Sequence, residues 1–320
     1  MLILLAFQGA EQRVARRSIG QERVGFARCE RVASSLDTLV SLIDWRPVAV
    51  RLNPLYPAAR GEPAWPPLAM FKALLLSIWY DLSDVKLAEA HDDRASFRRF
   101  RGLSANDATP ERTAFVRFRK LLVAHPRDRT LFEAVTLQLK SRAVPAKTGT
   151  LVDATILASA SEGDDEARWV KHNGKRAVHG FKAHVGADAP TALVEELSVT
   201  PTNVRQALTP YLAIPVRCSL TAPIAAITFT MPSAPKPAYP GSSPGMWGHN
   251  EEKTLRKLHA WNQPIHRVRR RIEKIFGTWK RCYGLRRLRW RGLAKAAVQV
   301  HLTAIAYIPK RTMNILAAHA

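Results

Sequence analysis

Two acids stand where phosphodiester chemistry would need them. Asp153 is an isolated carboxylate in the middle of 148–157 (TGTLVDATIL), a β-branched, alternating run that reads as a strand. A charge there is costly to bury unless it holds a partner, and the plainer alternative is a strand residue facing solvent. Glu273 shares its stretch with His266, Arg269 and Lys280, at spacings of three, four and seven that put all four on one helix face. Carboxylates converging from separate elements can hold divalent ions on a scissile phosphate. One ion activates the attacking water and the other stabilises the leaving oxygen. Mg²⁺ or Mn²⁺ would suit such oxygen ligands, and because they keep several waters, two or three acids suffice. The cations beside Glu273 would then hold phosphates. Taken alone the helix pattern is weak, since arginine-rich helices often include a Glu for ordinary ion pairing.

The elements that must position these residues fall into two groups. Residues 1–59 are poorly readable, apart from helical periodicity over 35–43 (SLDTLVSLI). Prolines at 54, 57 and 63 interrupt the chain after that helix. From Pro66 onward, Leu68, Met70, Phe71, Leu74, Leu75, Ile78 and Trp79 define a broad apolar helix face. Ser83 reads as the cap of a short helix over 84–91, and Phe97 and Phe100 mark another. Thr109-Pro110-Glu111 has the form of a helix start with a capping Thr. That helix turns Phe115, Phe118, Leu121 and Leu122 inward and Arg117, Arg119 and Lys120 outward. A further helix covers 131–139. Short helices with arginines on one side suit a helix-turn-helix-like DNA-binding module over 60–144, with Arg117 and Lys120 towards DNA. A basic bundle serving only as scaffold is the competing reading.

Near residue 145 the period changes. Strands are expected over 148–157, 177–185 and 192–200, with a loop at 159–175 and a turn at 186–188. Helices are expected over 251–261 and 265–280. A long apolar closing helix over 292–308 should stop near Pro309. The fold class expected is therefore α/β, with an all-α region ahead of a sheet domain over 145–320. Residues 205–244 fit neither helix nor strand: they are dense in proline, and no Asp or Glu occurs from Leu197 through Asn250.

Bulk properties narrow the partner. Lys plus Arg number 49 against 26 acids, a net charge of +23. Such an excess repels itself unless a polyanion is near, and nucleic acid is the commonest one. A ribosomal or other RNA-associated protein fits the charge equally well. Cys29, Cys218 and Cys282 have neither zinc spacing nor a disulfide framework, which fits a reducing, cytoplasmic compartment. The apolar run 2–7 is too short to span a bilayer, so no membrane is expected. His172, His179 and His184 lack a zinc pattern; His179 and His184 could face DNA or fill ordinary half-buried roles. Trp169, Trp279 and Trp290 could wedge into bases, although Trp is more often core.

The motif set resembles the insertion-sequence transposases with an Asp-Asp-Glu triad. Their closing signature is Tyr, then Arg three on, Glu four further and Lys seven further. Arg269, Glu273 and Lys280 stand in that register, with His266 in the tyrosine place. The stretches 149–161 (GTLVDATILASAS), 179–184 (HGFKAH), 272–281 (IEKIFGTWKR) and 283–291 (YGLRRLRWR) are also similar to one branch of the group. The resemblance covers roughly 60–204 and 246–312, and residues 66–140 resemble the group's N-terminal helical domain. It implies a ribonuclease-H-like mixed sheet with flanking helices and Mg²⁺ or Mn²⁺ as cofactor. Asp153 would be the first acid and Glu273 the last, both as metal ligands, with Arg269 and Lys280 on the DNA backbone. It also implies double-stranded DNA as partner (terminal inverted repeats and a target), a homodimer on paired ends, and a nucleoid-associated location.

One part is missing. The group carries its middle Asp on a strand after the position of Thr200, in a run such as Ala-Asp-Ser-Ala-Tyr-Arg-Gly. Here the proline-rich stretch takes that place. With one choice of synonymous codons, 218–226 (CSLTAPIAA) is TGC TCG CTG ACA GCG CCT ATC GCG GCA. Dropping two bases gives CTC GCT GAC AGC GCC TAT CGC GGC, or Leu-Ala-Asp-Ser-Ala-Tyr-Arg-Gly. The stretch is thus compatible with a frameshifted copy, in frame again just before Gly245, and a weak or inactive site is expected. Asp164, Asp165 and Glu166 are the substitute ligands to consider, against a solvated loop as the default.

Overall fold

The structure is a computed structural model, and it describes residues 34–56, 64–104, 106–143, 149–171, 176–204 and 270–319. Helix α1 (Ser35–Leu42) begins at Ser34, whose hydroxyl and amide form a capping box with Asp37. It buries Leu36, Leu39 and Leu42. Helix α2 (Arg46–Leu52), which periodicity did not reveal, begins with Pro47 in its first turn and runs into a 3₁₀ turn, Asn53–Leu55. Helix α3 (Pro67–Trp79) is buried over most of its circumference, so its apolar face is wide and weakly directional. Ser83 caps α4 (Asp84–Asp93), as its position suggests, and α5 (Ala95–Arg101) ends on Gly102 in the left-handed region.

Helix α6 (Arg112–Ala124) starts later than the Thr109 signal suggests. Glu111 holds the cap position without a side-chain bond, while the Thr109 hydroxyl donates to Asp92 at 2.6 Å. Thr109 therefore staples this loop to α4 and does not cap α6. Helix α7 (Asp128–Ala143) completes the helical region.

Among the described residues the sheet has four strands: β1 (Thr150–Ala158), β2 (Arg168–Val170), β3 (Val178–Asp188) and β4 (Val194–Pro201). All the pairings are antiparallel, and β3 is central. Gly180 pairs with both Ala158 and Arg168, and Phe181 with both Leu157 and Pro201. Strand β1 thus lines one edge of β3, while β2 and β4 lie end to end along the other. The mixed sheet expected from sequence has one parallel element among the described residues, a single bridge from Ala158 to Arg287.

Two expectations change here. Gly186, Ala187 and Asp188 continue β3, and the turn lies at 189–193. There the Asp188 carboxylate accepts the Thr191 amide at 3.0 Å, and Ala192 takes φ 55°. The loop expected over 159–175 also contains β2, too short for alternation to show.

Beyond the sheet come helix α8, described over 270–282, and α9 (Leu293–His319). Gly284, at φ 64°, turns the chain out of α8 so that Leu285 donates to the Trp279 carbonyl at 2.9 Å. A Cβ there would lie 2.3 Å from an Asp81 carboxylate oxygen. Helix α9 does not stop at Pro309. The ring removes the donor for the carbonyl one turn back, but Thr312 and Ile315 beyond it are buried, and Arg311 donates to Thr191 O at 2.7 Å. Those downstream contacts carry the helix past the proline.

Helix α9 packs against α7, α3, α1 and α6 on one side and against β4 and β3 on the other. One continuous cluster of buried apolar side chains therefore runs from Leu36 to Ile315, across residue 145. Each fully buried Leu, Ile or Phe in it contributes on the order of 2 kcal/mol.

Candidate functional site

Asp153 pairs across to Val185 on β3. Its side of the sheet carries Leu151, Thr155 and Leu157 on β1 and Phe181, Ala183, Val185 and Ala187 on β3. The four β3 residues are fully buried. Asp153 is half-buried, because β1 is the outer strand among the described residues, and one carboxylate oxygen accepts the Ala154 amide at 2.7 Å. Away from β3, β1 meets the chain after α8 at its end. Ala158 donates to Arg286 O at 3.3 Å, and Leu288 donates to Ala158 O at 2.8 Å. Val152, earlier on β1, is 56% exposed.

Helix α8 turns Ile272, Ile275, Phe276 and Trp279 inward. Glu273 is exposed and Lys280 half-buried, on a flank roughly a quarter turn from that stripe. Arg271 donates to Ala189 O at 2.7 Å, and Ala189 donates to Gly149 O at 3.0 Å. The start of α8 and the lead into β1 are thereby tied to the same turn. His266 and Arg269 lie outside the described residues, as do 205–244 and the helix expected over 251–261. Among the described residues, no three His, Cys, Asp or Glu side chains group as a metal site would require.

On α6, Arg117 and Lys120 are exposed, opposite the buried Phe115, Phe118 and Leu122. Arg119 does not point outward as expected. Its guanidinium forks onto both oxygens of Asp84 and lies 5.0 Å over the Trp290 ring. The signal was present: Arg119 is four after Phe115 and three before Leu122, at the border of the apolar stripe. This joint between α4, α6 and the α8–α9 connection borders a cavity of about 280 Å³ lined by Ser83, Asp84, Tyr283, Trp290 and Gln299 among others. Neither Asp153 nor Glu273 is on its wall.

Two acids of the 159–175 loop, Asp164 and Glu166, have structural work, while Asp165 is exposed. Asp164 is buried; it accepts the Ser159 hydroxyl at 2.7 Å and the Gly292 amide at 3.0 Å. Glu166 accepts the Leu293 amide at 2.7 Å. The two carboxylates thus take up free amides at the start of α9. Burial pushes the Asp164 carboxyl up, but the bonds from Ser159, Gly292 and Glu166 outweigh it and hold it below the usual carboxylate range. His184 is also a core group: its Nε2 lies 3.0 Å from the Thr200 hydroxyl, and burial, then Lys182, lowers its pKa. Trp279 is fully buried, Trp290 lies under Arg119, and Trp169 is exposed.

Together these features define an α/β protein with a small antiparallel sheet, flanking helices and a basic surface. A family model described as Transposase domain (DUF772) matches residues 27–121, and one described as Transposase DDE domain matches residues 231–308. The second match begins inside the proline-rich stretch. No solved structure matches the chain. The chain belongs to the insertion-sequence transposases of the Asp-Asp-Glu class. The Transposase DDE match implies a ribonuclease-H-like fold. No helix among the described residues is long and apolar enough to cross a membrane.

Proposed function

We propose that this chain binds double-stranded DNA at the terminal inverted repeats of its element, as a homodimer, and that its own cutting step is impaired. Location with the nucleoid follows from that partner. Arg117 and Lys120 on α6 and Lys280 on α8, with His266 and Arg269, hold backbone phosphates as point charges and forks. Asp153 and Glu273 are the acids offered to Mg²⁺ or Mn²⁺. Bound ions in such a site activate the attacking water or 3′-hydroxyl and stabilise the leaving oxygen.

The acids present do not fit that task in full. Two ions on one phosphate are held best by carboxylates from three elements, the middle Asp of the triad among them, and no acid occurs from Leu197 through Asn250. Asp164 and Glu166 are engaged at the start of α9, so of the three substitutes considered the loop offers Asp165, exposed in a solvated stretch. The absence of that middle acid is the observation that carries the reading. It equally favours a second reading, a non-catalytic DNA-binding remnant that competes for the same ends.

A nicking assay on inverted-repeat DNA decides the matter. Binding is expected without cleavage in Mg²⁺ or Mn²⁺, and Asp153→Ala should leave that result unchanged. Metal-dependent cleavage abolished by Asp153→Ala would overturn the proposed impairment. The nucleotide sequence of codons 200 to 250 tests the frameshift directly.

A further inference from the structure

Trp169 is the most exposed aromatic side chain among the described residues, at 56%. It is held rigidly. Strand β2 pairs with β3, placing Trp169 opposite His179. The Thr202 hydroxyl donates to Arg168 O at 2.5 Å, and Arg168 folds back onto the carbonyls of Asp165 and Ala167. The His179 ring meets the indole with centroids 5.1 Å apart and planes tilted by 43°. His179 is the indole's one ring partner among the described residues, so the indole has a supported side and an open one.

The surroundings name the partner. Between Glu166 and Asp188 the chain has no acid and five cations, namely Arg168, Lys171, Lys175, Arg176 and Lys182. Arg168, Lys171 and Arg176 are exposed, and Lys171 lies two residues beyond Trp169, on the same side by strand period. A flat apolar ring flanked by cations matches a base flanked by phosphates. An apolar protein surface would leave the cations without counter-charges.

We propose that Trp169 stacks on an unpaired DNA base while Lys171 and Arg176 hold the adjoining phosphates. The inference rests on the reading that the chain binds DNA, and it adds a contact away from Glu273 and its helix. The site takes single-stranded or locally opened DNA, since a paired base keeps both faces in the duplex stack.

The test uses the full chain and two synthetic probes: a blunt duplex, and the same duplex with a single-stranded overhang containing 2-aminopurine. Wild type should bind the overhang probe more tightly and change its fluorescence. Trp169→Ala should lose roughly 5- to 150-fold on the overhang probe, the range for one stacked base. Its affinity for the blunt duplex and its salt dependence should stay as in wild type. Trp169→Phe should retain most of the overhang affinity. Lys171→Ala should weaken both probes and lower the salt slope by about 0.7 to 0.9. Should the alanine variant fail to fold by circular dichroism, Trp169→Leu, which keeps the apolar bulk without the ring, decides in its place. Wild-type overhang affinity in Trp169→Ala (or in Trp169→Leu where it stands in), or an equal loss on both probes from that variant, overturns the proposal. So does loss of self-association with unchanged DNA affinity, which would identify a second copy as the occupant. Wild type binding neither probe removes the DNA-binding reading itself.

Discussion

His91 lies fully buried between Phe97 and Phe115, with ring centroids 6.0 and 5.9 Å away, and neither ring nitrogen has a hydrogen-bond partner among the described residues. Burial, reinforced by Arg101 and Arg98, lowers its pKa to about 2. The folded protein keeps this imidazole neutral, whereas the unfolded chain takes up a proton below about 6.5. Its contribution to stability is complete above that value and is lost as the pH falls towards the folded one. Urea unfolding at pH 7 and pH 5 should show His91→Leu losing less stability on acidification than wild type, by about 2 kcal/mol. Identical losses would mean that another group sets the acid sensitivity.

The same scale shows what spacing can reveal. Asp153 stands out in the sequence because a lone acid in an apolar strand is expensive, and it is indeed in a strand, half-buried. Arg119 is legible only in part: its place at the border of the apolar stripe shows in the spacing, while its partners Asp84 and Trp290 are remote in sequence and no periodicity links them.

Among elements, the clamp on α9 is the clearest case. Asp164→Ala leaves the Ser159 hydroxyl and the Gly292 amide without their acceptor, and should cost about 1–3 kcal/mol, read from the shift in denaturant midpoint. Glu166 is exposed, and its removal should cost less than about 1 kcal/mol. Equal effects would mean that burial does not separate the two roles. Most helices are legible because apolar residues recur at helical spacing, as a broad face in α3 and a stripe in α6. The exceptions have physical causes. Gly186 reads as a turn residue, yet pairing with Val152 and Glu196 keeps it in β3. Pro309 reads as a stop, yet tertiary contacts beyond it hold the helix. Strand β2 has three residues, fewer than two periods of alternation.

For the molecule as a whole, the change of period near residue 145 marks a change of element type, while the apolar core continues through it. Helix α9 covers α7, α3, α1 and α6, and the His301 ring lies 2.8 Å from the Asp128 carboxylate at the start of α7. A fragment ending at 145 would expose that face to water. Its thermal melt should lack a cooperative transition, and it should bind a hydrophobic dye. A sharp melt from the fragment would show that the helical region stands alone. The placement of Glu273 relative to Asp153 is the least legible part, since it depends on a helix and a strand more than a hundred residues apart.

Helix α9 comes later in the chain than every element it packs upon. While a ribosome is still translating the message, the nascent helices and strands lack their shared cover, so the core closes only after that last helix has been made. A lesion that restores its reading frame before codon 293 still delivers the cover, and the product can fold around the altered stretch. A lesion that never returns to frame removes α9 and leaves both halves without it. Selection against misfolded product would therefore spare copies of the first kind, whose lasting trace is a folded protein with damaged chemistry.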